Sequence, residues 1–176
     1  MILLFTDGSG KVYGVDHSSF AVSTVDRTLK EEIASGKLSV SRDNVLLLPF
    51  DKNMFDRVFH TNCYYFWNDM EAACHELYRV LKPNSFMVTC MNMDRVKAAQ
   101  NKGLFKDANP DPLNYMLVLE RTGFKDVGIK YMTCERTGEG FAAISAHVKD
   151  KVSDDEVVTK LARQELEDFE EQRINM

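Results

Sequence analysis

Asp16 closes the run Lys11-Val12-Tyr13-Gly14-Val15, and it is the first side chain with chemistry to offer. A carboxylate only accepts hydrogen bonds, and its two oxygens suit a vicinal diol. Nicotinamide-binding Rossmann proteins also place an acid here, and a solvated Asp ending a strand is the plain alternative. His17 follows at once. Asn44-Val45 then opens the stretch Leu46-Leu47-Leu48-Pro49-Phe50, whose apolar side chains read as core. His60-Thr61-Asn62 follows Phe55–Phe59, with Tyr64 and Tyr65 just beyond. His60 has the chemistry of a general base, although a loop histidine is more often simply hydrogen bonded. Cys63, Cys74, Cys90 and Cys134 show no Cys-x-x-Cys spacing, which speaks against a zinc site and for reduced thiols.

These residues need elements to hold them. Lys11–Val15 is β-branched and aromatic and reads as a strand. Ser18 or Ser19 offers an N-cap to a helix carrying Val22, Val25, Leu29 and Ile33, with Gly36 at the C′ position. Leu38–Val40 and Val45–Leu48 look like one broken strand region closed by Pro49. Phe55–Tyr65 reads as a buried strand with its loop. Asn68 and Glu71 are spaced as a capping box for a helix with Met70, Cys74, Leu77 and Leu81 on one stripe, ended by Pro83. Phe86–Cys90 is another buried strand, residues 92–111 a loop or short helix, and Leu113–Glu120 a helix stopped by Gly123. Val127–Met132 and Gly140–Val148 form a helix-free last strand pair, expected to be antiparallel. A capping box at Ser153–Glu156 opens a last helix to about Gln172, with Val158, Ala162, Leu166 and Phe169 on one face. Strands alternating with helices imply an α/β fold with a mostly parallel sheet.

Three stretches in this order resemble the small-molecule branch of the class I, S-adenosylmethionine-dependent methyltransferase family. In Lys11–Ser18, the resemblance gives Asp16 the role of accepting hydrogen bonds from the cofactor's ribose hydroxyls, with His17 beside it. Asn44–Phe50 followed by Phe55-Asp56 resembles the segment in which Asp-Ala precedes Leu-Pro-Phe. There the polar residue meets the adenine amino group and the next backbone amide meets a ring nitrogen, which implies Asn44 and Val45. The third stretch, Glu76-Leu77-Tyr78-Arg79-Val80-Leu81-Lys82-Pro83, resembles the family's Glu-x-x-Arg-Val-Leu-Lys-Pro-Gly-Gly, with Asn84-Ser85 in place of Gly-Gly. Asn adopts the left-handed turn that Gly supplies. Thr122-Gly123-Phe124 completes the likeness, which covers roughly residues 11–149. It implies a Rossmann-like sheet and methyl transfer from S-adenosylmethionine to a small molecule. It places His60 and Thr61 near the cofactor at the strands' carboxyl ends, with His60 as the candidate base.

The family's first strand and Gly-x-Gly-x-Gly loop have no counterpart before Asp16. Ten residues precede Lys11, and a parallel crossover needs about a dozen or more. Asp7–Gly10 would instead turn tightly and give an antiparallel hairpin. The expectation is an N-terminally truncated domain over residues 1–150 and an amphipathic helix over 151–176. The central strand position would be vacant, cofactor binding impaired, and the exposed sheet edges open to self-association. A non-catalytic interaction module on the same scaffold is the alternative. The net charge of −5 argues against a nucleic-acid partner. No apolar run approaches the roughly 18–20 residues of a membrane span. A cytoplasmic protein is expected.

Overall fold

The computed structural model describes residues 1–149 and 151, apart from 7, 9, 106 and 107. Its strands are β1 (Ile2–Thr6), β2 (Lys11–Asp16), β3 (Leu38–Arg42), β4 (Phe55–Thr61), β5 (Leu81–Asn92), β6 (Lys125–Thr133) and β7 (Gly140–Val148). They form one seven-stranded sheet in the order β3-β2-β1-β4-β5-β7-β6. The pairs β2–β3 and β4–β5 are parallel, while β1 is antiparallel to both β2 and β4, and β7 to both β5 and β6. The strands β2 to β6 therefore share one direction, and the last pair is antiparallel as its helix-free turn requires.

β1 corrects one expectation. Ile2 pairs with Val15 on one side and with His60 on the other, so β1 fills the central position expected to be vacant. A tight hairpin suffices to bring it there, because an antiparallel neighbour needs no crossover. The Gly10 amide donates to the Thr6 carbonyl at 2.9 Å, and Gly10 takes a φ of 61°. Ile2, Leu4, Val15 and Val58 are buried side by side, so the middle of the sheet is closed. The antiparallel hairpin itself is as expected, and it turns β1 so that its Ile2 end lies beside the carboxyl ends of β2 and β4.

The helices are α1 (Ser19–Thr28), α2 (Lys30–Ala34), α3 (Met70–Val80), α4 (Met93–Asn101) and α5 (Pro112–Arg121). The Ser18 hydroxyl accepts the Ala21 amide to cap α1. Gly36, at a φ of 74°, ends α2: its amide donates to Ile33 while that of Lys37 donates to Glu32, a Schellman arrangement. The cap of α3 is Asp69, whose carboxylate accepts the Ala72 amide at 2.9 Å, one residue beyond the predicted Asn68. The helix buries Ala73, Cys74, Leu77 and Val80. It stops at Val80 rather than at Pro83, because Leu81 already begins β5, and Pro83 lies where the β4–β5 register shifts. Asn84 adopts a φ of 59°, the left-handed turn for which it substitutes for glycine. The predicted second half of the broken strand, Val45–Leu48, is an irregular loop. The helix predicted beyond Ser153 lies outside the described residues.

Candidate functional site

A cavity of about 410 Å³ opens beside the carboxyl ends of β2 and β4. Strand-to-helix and strand-to-loop turns supply its walls, as open α/β sheets favour. Asp16, His17 and Ser18 come from the end of β2, and Asp43, Asn44, Val45 and Leu46 from the loop after β3. Asn62, Cys63, Phe66, Trp67 and Asn68 come from the segment after β4, with Met1 and Ile2 between. The structure thus brings Asp16, His17, Asn44 and Val45 to one cavity.

Asp16 is held from two directions. Its Oδ1 accepts the Ser18 amide at 2.9 Å, and its Oδ2 lies 2.8 Å from the Met1 amino nitrogen. Partial burial opposes its ionisation, but the Met1 and Ser18 hydrogen bonds outweigh that and hold its carboxyl below the usual range. The Arg42 guanidinium donates to the His17 carbonyl at 3.1 Å, fixing the turn that carries both residues.

The Asn44–Phe50 loop is built by side chains. Asn44 Oδ1 accepts the Leu46 amide at 3.1 Å, and Glu76 accepts the Leu48 amide at 2.9 Å. Arg79 grips Glu76 with two nitrogens, at 2.7 and 2.8 Å, and donates to the carbonyls of Phe50 and Leu48 at 2.8 and 3.1 Å. The fork lowers the Glu76 carboxyl below its ordinary value and raises the Arg79 guanidinium, in each case mainly through their hydrogen bonds. Phe50 packs edge-on against Tyr13 and Phe55, with centroids 5.5 and 5.0 Å away. With its amides engaged in this way, Val45–Leu48 does not join the sheet.

His60 and Thr61 do not line the cavity. Thr61 is exposed at the end of β4. His60 is fully buried, its Nε2 at 2.9 Å from Tyr115 Oη and 2.8 Å from Thr89 Oγ1, and its Nδ1 at 3.3 Å from Cys63 Sγ. Burial drives its pKa down to about 3, so the ring is neutral and enclosed. A base must reach the proton it takes, and this ring instead braces the cavity floor. It touches Cys63 by hydrogen bond and the Trp67 ring at a centroid distance of 5.1 Å. Burial also pushes the Cys63 thiol up to about 12, so it stays protonated. Asn62, at a φ of 51°, turns the chain out of β4, while its Oδ1 accepts the Asn92 amide at 2.8 Å.

The sequence reading named Asn62 among the residues after β4 that could stand at the site, and it did not anticipate Cys63, Phe66 and Trp67 as cavity residues. Trp67-Asn68 stands just before α3, and its aromatic character was the available signal. Tyr115, which closes the His60 cluster from α5, gave none.

The described residues contain no group of three or more His, Cys, Asp and Glu side chains placed to hold a metal. None of their helices is long and apolar enough to cross a membrane.

A family model described as "Methyltransferase domain" matches residues 1–89. The 2-phytyl-1,4-naphtoquinone methyltransferase of Trichormus variabilis is 38% identical over 79 residues, covering 44% of this chain and 34% of that protein. Sterol 24-C-methyltransferase erg6 of Aspergillus fumigatus is 30% identical over 82 residues, 47% of this chain and 21% of that protein. The chain therefore spans about a third or less of these curated relatives. A solved SAM-dependent methyltransferase of Thermotoga maritima, described as a possible histamine N-methyltransferase, superposes with a TM-score of 0.58 at 19% identity. The match covers 77% of this chain and 72% of that one. At that identity the likeness establishes the shared fold.

Proposed function

The chain belongs to the methyltransferase domain family, and from that membership we propose that it is an S-adenosylmethionine-dependent methyltransferase acting on a small-molecule acceptor. One observation carries the reading: Asp16 and Asn44–Val45 face a single cavity at the carboxyl ends of the strands. The residues present fit the adenosyl half of the cofactor. Each Asp16 oxygen keeps a further lone pair for a ribose hydroxyl, and Asn44 keeps its amide group and a second lone pair for the adenine edge. The Val45 amide is the partner for a ring nitrogen. When bound, the cofactor would supply an electrophilic methyl group for an acceptor lone pair, with Asp16, Asn44 and the Val45 amide holding its adenosyl half. The chain's own residues bind and orient, and the largely apolar wall of Phe66, Trp67 and Leu46 excludes water. In this reading His60 positions Cys63 and Trp67 and takes no proton.

The names of the two curated relatives, a naphthoquinone and a sterol methyltransferase, support a small organic acceptor. Free Cys63, Cys74, Cys90 and Cys134 support a reducing, cytoplasmic setting.

A second reading, a non-catalytic module on this scaffold, is favoured by the direction of β1. Its Ile2 end lies beside the cavity, while Gly8 and Gly10 turn at the opposite end of the hairpin. Among the described residues, no glycine of a strand-to-helix turn then lines the cavity. Calorimetric titration with S-adenosylhomocysteine separates the two. Binding in the micromolar range supports the methyltransferase, and no heat at millimolar ligand sinks it.

A further inference from the structure

We propose that the cavity wall formed by Phe66 and Trp67, extended by Phe105, is an acceptor subsite selective for a neutral, apolar, multi-ring small molecule. The inference rests on the methyltransferase reading for the word acceptor, but the subsite itself is argued from geometry and charge.

The cavity has two unlike sides. Asp16 ends β2, and Asn62 and Cys63 follow β4, with β1 between. Two strand spacings separate them, about 10 Å. The acidic and imidazole side chains of the lining, Asp16, His17 and Asp43, all belong to the β2–β3 side, and the Met1 ammonium is held there by Asp16. The side after β4 offers Asn62, Cys63, Phe66, Trp67 and Asn68, none of them charged. A charged ligand group seated there would lose its hydration, and the charges that reach that side, the Met1 ammonium and the Asp16 carboxylate, already pair with each other at 2.8 Å.

The same side is aromatic. Phe66 is 59% exposed although its side chain is wholly apolar. Its ring lies 4.6 Å from that of Tyr65 and 5.7 Å from that of Phe105, while Tyr65 and Phe105 are 5.3 Å apart in a T-shape. Three mutually touching rings thus form a stiff wall whose outermost member is left to water at the cavity's edge. Trp67 continues the wall inward, steadied by the buried His60 ring 5.1 Å away. A flat or fused-ring ligand laid on Phe66 and Trp67 would gain offset-stacked and edge contacts and cover exposed apolar surface. Asn62 and Asn68 supply the few orienting polar groups such a site needs.

Trp67 is the only tryptophan in the chain, so its indole N–H gives a single, site-specific signal in a proton–nitrogen correlation spectrum. The test titrates the full chain with three probes sharing one bicycle: neutral 1-naphthol, anionic 1-naphthoate and cationic 1-naphthylmethylammonium. The expected result is a shift of the Trp67 signal with 1-naphthol, at about ten-fold or greater affinity over both charged probes. Phe105→Ser and Phe66→Ser should each weaken 1-naphthol about five-fold or more. The same spectra report whether either variant has unfolded, and the wild-type charge series stands without them. Equal binding of a charged probe, or 1-naphthol binding that leaves the indole signal unmoved, overturns the proposal. A parallel titration with S-adenosylhomocysteine keeps the two ideas apart. If it fails while 1-naphthol behaves as expected, the methyl-transfer reading falls and the apolar site stands. If it succeeds without neutral-probe selectivity, the subsite alone falls.

Discussion

The Glu76 carboxylate accepts the backbone amide of Leu48 at 2.9 Å across 28 residues of sequence. That contact joins the helix α3 to the loop that presents Asn44 and Val45. Arg79 completes it by holding Glu76 and two loop carbonyls together. On the surface an i,i+3 pair of this kind contributes only tenths of a kcal/mol, but here it is partly buried and replaces the pairing a strand would have supplied. Arg79→Lys keeps the charge and loses the planar fork. We expect it to cost about 1–2 kcal/mol of stability and to speed hydrogen exchange at the Leu46 and Leu48 amides more than at Leu4 in the central strand. Uniform exchange behaviour across all three amides would refute a local positioning role.

Asp16 tests the nucleoside end of the cavity. Asp16→Asn preserves size and one acceptor but removes the charge that makes these hydrogen bonds strong. S-adenosylhomocysteine affinity is expected to fall about 10- to 100-fold, equivalent to about 1–3 kcal/mol. The depressed pKa of Asp16 adds a pH signature. Its ionised form is favoured by folding, so the contribution is present at neutral pH and fades as pH drops through its folded value. Isothermal titration at pH 7 against the variant decides the matter, and an unaltered affinity would mean that the ribose is held elsewhere.

His60 carries an acid-lability prediction. Its folded pKa is about 3, against 6.5 for the free side chain. The unfolded chain therefore binds one more proton than the folded chain between these values, and stability must fall as pH is lowered through that window. The loss approaches a few kcal/mol by about pH 4, since each unit is worth 1.36 kcal/mol. His60→Gln should lower stability at pH 7, where it disturbs the bonds to Tyr115 and Thr89, yet flatten the decline between pH 6.5 and 4. Urea midpoints measured across that range for both proteins provide the check. Parallel pH profiles would show that His60 is not the titrating group.

The difference between what was legible in the sequence and what was not follows contact distance. The strand that ends at Asp16 could be read from local spacing, whereas the candidate roles of Asp16 and Asn44 were implied by the family resemblance of their stretches. The C′ role of Gly36 was equally local, and so was the left-handed Asn84. The fate of Val45–Leu48 was not, because a carboxylate 28 residues away takes the Leu48 amide. Nor was the burial of His60, whose ring is sealed by Tyr115, 55 residues downstream. β1 was legible as half of a hairpin. Its second partner, β4, is what puts it in the middle of the sheet, and no turn chemistry announces that pairing.

Gly123 offers the sharpest test of the packing between α3 and α5. It ends α5 at a φ of 108°, with its own amide donating to Glu120 and that of Phe124 donating to Leu119. These two bonds make a Schellman cap, and Phe124 and Leu119 supply its buried apolar contact. A Cβ at Gly123 would lie 3.2 Å from two ring carbons of Tyr78. That ring cannot retreat freely, because it packs edge-on against Phe124 at 5.3 Å and lies under the Lys151 ammonium at 4.7 Å. Gly36→Ala is the natural comparison: it shares the left-handed backbone at a φ of 74°, but its Cβ would meet open space. Gly36→Ala should cost about 1 kcal/mol from backbone strain alone. Gly123→Ala should add the clash and reach about 2–3 kcal/mol. At this chain length each kcal/mol lowers Tm by about 2–4 °C, so the two variants are separable by calorimetry. Equal losses would mean that Tyr78 yields without cost, and that the α3–α5 contact is softer than its ring packing implies.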